Sequence, residues 1–191
     1  MNIKLLNNIL RHLDNFSELC GRGLAWITLL MMCITFLIVV LRYLFGFGSI
    51  AMQESVMYLH ATLFMGASAY TLKCDEHVRV DIFYRLHSPK TKAWVNLFGT
   101  LFLLMPVCLF IGWVSMDYLA ATWRIYESSP EAGGIPAVFL LKSLIAVLVI
   151  TLLLQGFAEL LRNTLIITDT LLIIDNPLAA PTLSDSTTDH H

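Results

Sequence analysis

GLAWITLLMMCITFLIVVLRYLFG, residues 23–46, carries a single charge, Arg42, near its end. A helix of about 20 apolar residues crosses a hydrocarbon core of about 30 Å, so this stretch reads as a membrane span. Three more apolar runs follow at 50–72, 93–118 and 135–161, with the charges pushed between them. Hydrophobic residues make up 57% of the chain and charged residues 14%, against about 45–50% and about 25% in soluble domains. The expectation is an all-α integral membrane protein of four transmembrane helices. The first run is too long for the apolar region of a removable signal and should stay as a helix.

Lys and Arg in short loops set orientation. Nine of the twelve fall before the first run, between the second and third, or after the fourth; only Arg42, Arg124 and Lys142 fall on the other side. Both termini should therefore be cytoplasmic. Trp94 and Trp113 stand 19 positions apart, about 28 Å along a helix, which suits opposite aromatic belts.

The chain divides on this reading into three parts. In residues 1–22, Leu6, Ile9, Leu10, Leu13 and Phe16 recur at helical spacing opposite Asn7, Arg11 and Asp14, the pattern of an amphipathic helix lying in the membrane interface or packing on a partner. Residues 23–163 form the four-helix domain. Within it, Val78, Ile82, Phe83 and Leu86 repeat among charges, predicting a second interfacial helix over 75–87 that ends at Ser88-Pro89. Residues 164–191 become rich in Pro, Ser, Thr and Asp after Ile174 and are expected to form a disordered tail.

Polar residues inside a span are costly and therefore informative. The first span ends in Arg42-Tyr43-Leu44-Phe45, and the second opens on Gln53-Glu54 and carries His60. Glu54 reads either as an acid in a helix's first turn, paired with Arg42 across the hairpin, or as a contact to a partner subunit. His60 reads either as a hydrogen-bonded residue in a helix seam or as a functional group. Pro106 should kink or loosen the third span. The long outer segment holds Arg124, Glu127, Glu131 and Gly133-Gly134, suited to docking a protein or to plain solvation.

Several chemistries are excluded. A near-neutral net charge of −2 argues against nucleic acid as a partner. Only His60 lies in a span, so one chain cannot supply two axial haem ligands. Cys20, Cys33, Cys74 and Cys108 include no CxxC pair, and Ser68 and Ser115 lack the partners of a nucleophile. No cofactor, metal or enzymatic activity is expected. Without a repeat or a deep ionisable pair, the chain does not resemble a self-sufficient transporter.

Arg42-Tyr43-Leu44-Phe45, Gln53-Glu54-Ser55 and His77-Val78-Arg79-Val80-Asp81, in this order on four spans, resemble the small membrane subunit of tripartite ATP-independent periplasmic (TRAP) transporters. The resemblance covers roughly residues 10–163. It implies a larger membrane subunit with the substrate and sodium sites, and a periplasmic protein that delivers an organic acid. This chain would act as a non-catalytic scaffold in a bacterial inner membrane, in contact with lipids. Arg42, Glu54, His60, His77, Asp81, Arg124, Glu127 and Glu131 become the candidate partner contacts. Residues 123–136 resemble a branch with an extended outer loop, often linked to 2-oxo acids. Gln53 departs from the family, where many members carry an acid. The competing readings are a homo-oligomeric channel or carrier with its path between protomers, and a membrane anchor for a redox enzyme.

Overall fold

The computed structural model describes residues 3–74 and 88–175. The regular structure among those residues is entirely helical, without a strand. Helix α1 spans Ile3–Leu44 and α2 spans Ile50–Lys73. A rod then runs through α3 (Pro89–Gly99), a π-helical turn (Thr100–Leu104) and α4 (Met105–Arg124). Helix α5 spans Val138–Asp175 and touches every other element.

Among the described residues, three stretches are long and apolar enough to cross a membrane: Leu10–Leu44, Lys90–Arg124 and Val138–Thr168. Helix α2 is not one of them, because Gln53, Glu54, His60 and its hydroxyl residues dilute its apolar content. Its hydroxyls nevertheless make little demand on their surroundings. Ser55, Thr62, Ser68 and Thr71 each donate to a carbonyl three or four residues back on the same helix.

Helix boundaries differ from the sequence reading in physically clear ways. No turn occurs near residue 22, so the amphipathic segment and the first apolar run are one helix of 42 residues, about 63 Å long. The change of pattern there marks a change of surroundings rather than a break: Leu10 and Ser17 are buried against the bundle. Helix α5 likewise continues past residue 163 to Asp175, where Leu165, Ile166 and Ile167 sustain it, and Ile167 is buried. Residues 164–175 are thus helical, and 176–191 lie outside the described residues. The helix expected over 75–87, with His77 and Asp81, also lies outside them.

Local chemistry explains the turns. Leu41 O accepts from both Phe45 N and Phe47 N, and Gly46 at φ +62° supplies the left-handed step between them. Ser49 then caps α2 by accepting from Met52 N at 3.4 Å. Pro106 has no N–H for the helical ladder. The turn before it widens, and Met105 N reaches back five residues to Thr100 O. That wide turn rests on α5 at Gly156, where an added Cβ would stand 3.0 Å from Leu104 Cδ2.

Small residues let the helices approach, as is usual where lipid supplies no hydrophobic drive between them. Ala69, Ala93 and Ala158 are buried. Gly21 lies under Tyr70, and a Cβ there would fall 2.4 Å from the ring. Gly23, two residues on, has nothing within 4 Å. Gly21→Ala should therefore cost about 1–3 kcal/mol by overpacking, whereas Gly23→Ala should be neutral. Thermal unfolding in detergent checks this, and equal melting temperatures would show that α1 and α2 can separate freely.

Candidate functional site

The first polar cluster closes the end of the bundle where α1 turns into α2. Glu54, in the second turn of α2, holds the loop between α4 and α5. Its Oε1 accepts from Ser129 Oγ, and its Oε2 accepts from Ile135 N at 2.6 Å. The loop is folded to present those donors. Ser129 N donates to Ile135 O, Glu131 N to Ser129 Oγ, and Gly134 N to Glu131 O. Gly133 sits at φ +84°, and a Cβ on Gly134 would fall 2.7 Å from Glu54 Oε1, so the Gly133-Gly134 pair suits both the turn and the close approach.

The Arg42–Glu54 pair expected from sequence does not form. Arg42 is exposed, and among the described residues it makes no ion pair. Two neutral donors from the loop satisfy the carboxylate instead. Tyr58 Oη, one turn along α2, is buried and finds no hydrogen-bond partner among the described residues.

Beside Glu54 lies a second anchor. Glu127 Oε2 accepts from Lys142 Nζ at 2.5 Å and from Thr122 Oγ1 at 3.0 Å. Lys142 Nζ also lies 4.4 Å from the centre of the Tyr118 ring. Helix α4 ends with Glu127 N bonded to Thr122 O while Tyr126 takes the left-handed position usually given to Gly. That conformation costs about 1 kcal/mol for a residue with a Cβ. The Tyr126 ring packs edge-on against Phe139, as does Trp123, whose Nε1 donates to Ser143 Oγ at 2.8 Å. Lys142 and Thr122 hold the Glu127 carboxyl below its ordinary pKa, the hydrogen bond from Lys142 being the largest cause. Of the three outer-segment candidates, Glu127 is therefore an internal anchor, whereas Arg124 and Glu131 stand exposed.

The opposite end carries a cluster that the sequence did not reveal. Arg162 Nη2 reaches both Asp14 oxygens, at 2.8 and 2.9 Å, while Nη1 donates to Glu159. Lys73 Nζ donates to Asp14 O at 2.9 Å and to Glu18 Oε2 at 3.1 Å. Deeper in, Ser17 Oγ donates to the buried Gln155 Oε1 at 2.7 Å. Helices α1, α2 and α5 are thereby joined at one level. His60 takes no part in either cluster: it is exposed on α2 and stacks on Phe64 at 6.3 Å.

Loss of Glu54 strands two donors, at about 1–3 kcal/mol of local stability. Glu54→Ala should therefore speed hydrogen exchange at Ile135 by roughly tenfold, with Glu54→Gln intermediate because it keeps one acceptor. Unchanged exchange would mean that the glycine turn holds the loop unaided. The lowered Glu127 pKa fixes the sign of an acid effect. Its stabilisation is present above the unfolded value and lost as pH falls through the lower folded value. Exchange at residues 126–128 should accelerate below the ordinary carboxylate range, and Glu127→Gln should remove most of that response. An equal response in the variant would place the titrating group elsewhere.

Two interhelical clasps, an ordered loop and exposed apolar flanks describe a helical membrane body rather than a reaction centre. No curated protein and no solved structure matches the chain. The family model for tripartite ATP-independent periplasmic transporters, DctQ component, matches residues 31–165, which include α2, the π turn and the Glu54 clasp. That match covers well over half of the 191 residues, and the chain belongs to this family, the small membrane component of TRAP transporters, which is a family of transporter subunits and not of enzymes.

Proposed function

We propose that this chain is the small permease subunit of a sodium-coupled, binding-protein-dependent importer of organic acids. It serves there as the static scaffold beside a large membrane subunit that moves the substrate. Its partners are that large subunit, a periplasmic substrate-binding protein and the lipids of a bacterial inner membrane. The observation that carries the scaffold reading is where the charged side chains go. Asp14, Glu18, Lys73, Glu127, Lys142 and Arg162 are all engaged in tying elements of this chain to one another. Charges committed this way hold the elements at fixed heights, as a static body requires, and are not free to line a path.

The topology belongs to the same proposal. Helix α2 acts as a fourth span because it lies between the apolar α1 and α5, which shield much of its surface. The excess of basic residues at the end bearing both termini supports a cytoplasmic location for that end. The α4–α5 loop then faces the periplasm, and exposed Arg124 and Glu131 offer it a polar face for the binding protein. A homo-oligomeric path lined by Glu54 and His60 is the weaker reading, because Glu54 is already engaged by Ser129 and Ile135.

Purification from native membranes in mild detergent should recover a stoichiometric multi-span partner. The chain alone in liposomes should show no sodium-driven uptake of a carboxylate, whereas the chain with that partner and the binding protein should. Recovery with itself only, or uptake by the chain alone, would overturn the proposal.

A further inference from the structure

One face of the bundle is chemically unlike the rest. The exposed positions of α2 form a single line: Ile50, Gln53, Met57, His60 and Phe64. Their spacing of three and four residues follows one side of a helix. Across from them, Met31, Met32, Thr35 and Phe36 of α1 complete an open groove of about 760 Å³ that Gln53 and His60 also line. Two of the five side chains in the line are polar, and neither makes a hydrogen bond within the described residues.

Depth makes this significant. Met31–Phe36 lie well inside the apolar stretch Leu10–Leu44, so His60, which shares their groove, lies at the same level. Water does not reach that level on an exposed flank, and an unsatisfied polar group facing hydrocarbon is costly. The other flanks avoid this situation. From Trp94 to Met116 every exposed residue of the α3–α4 rod is apolar, and so is every exposed residue of α5 from Leu140 to Phe157. Those surfaces suit lipid tails. The α1–α2 groove does not.

We propose that this groove receives one transmembrane helix of the large subunit, bearing hydrogen-bonding side chains opposite Gln53 and His60. The proposal rests on the small-subunit reading and names the surface on which it operates. One helix fits because the uncovered strip of α2 is one side chain wide. His60 requires a donor or acceptor at depth, and Gln53, seven residues and about 10 Å nearer the loop end of the bundle, takes a second one close to that end. Apolar Met32, Phe36 and Met57 supply the adaptable packing surface between them.

The test places a benzophenone side chain at Met57 or Met32, on opposite walls of the groove, and at Phe110 or Phe157 on the apolar flanks. Each chain is expressed with its membrane partners and irradiated in native membranes. The expected result is a covalent adduct with the multi-span subunit from positions 57 and 32, and lipid adducts alone from 110 and 157. Adducts with that subunit only from 110 or 157 would overturn the assignment of the surface while leaving the small-subunit reading intact. Lipid adducts alone at 57 and 32, in membranes from which the partner still co-purifies, would do the same. Adducts between two copies of this chain at 57 would replace the occupant with a second copy. Absence of any co-purifying multi-span protein would instead sink the function proposed above. Independently, Gln53→Leu and His60→Leu should each weaken the purified complex about threefold, the size of a typical hydrogen bond between membrane helices. Phe110→Leu should leave it unchanged, and equal loss at all three would deny the groove a special role.

Discussion

Helices surrounded by lipid gain little from hiding apolar surface against one another, because lipid tails are as apolar as leucine. Something else must set which helix touches which, and at what height. In this bundle close backbone approach and polar bonds do so together. Gly21 beneath Tyr70 and Gly156 beneath the π turn let α1 meet α2 and α5 meet the α3–α4 rod. The Asp14–Arg162 and Ser17–Gln155 contacts fix the height of α1 against α5. At the other end, Glu54 fixes α2 against the loop that leads into α5. Sliding α2 or α5 by a turn would break bonds at both ends at once.

The two clasps differ in how they tolerate water. The Arg162 cluster contains several charges at partly exposed positions, where each pair alone contributes modestly. Its weight comes from linking three helices through shared groups: Asp14 receives Arg162 at its carboxylate and Lys73 at its carbonyl. The Glu54 clasp uses no cation. A carboxylate accepting from a hydroxyl and a backbone N–H is satisfied without the fixed distance of an ion pair, but it demands a loop of one shape. Gly133, Gly134 and the left-handed Tyr126 are the features that give the loop that shape.

Much of this was legible in the sequence, and the exceptions are instructive. Three of the four apolar runs correspond to stretches long and apolar enough to span, Glu54 stood out as an acid beside an apolar run, and Pro106 marked the place where the third run loosens. The partner of Glu54 was misread because Arg42 was the nearest cation along the chain, whereas the donors that reach it are neutral and lie 75 and 81 positions away. Asp14 and Arg162 are 148 positions apart, and no local pattern announces a pair at that separation. The division at residue 22 failed for another reason. A helix can leave one environment and enter another without bending, and hydrophobic periodicity reports the environment rather than the backbone.

Helix α2 shows the same distinction from the other side. Taken over its whole length it is more polar than the three long apolar stretches, yet its surroundings do not see its whole length. Ser55, Thr62, Ser68 and Thr71 turn back on their own carbonyls, Glu54 is occupied by the loop, and α1 and α5 cover much of the remainder. What faces outward is the line from Ile50 to Phe64, so its cost in a bilayer reduces to Gln53 and His60. A helix of this composition would be a poor span in isolation. On the four-span topology proposed above, two strongly apolar neighbours would make it an acceptable one, provided that a further helix answers those two side chains.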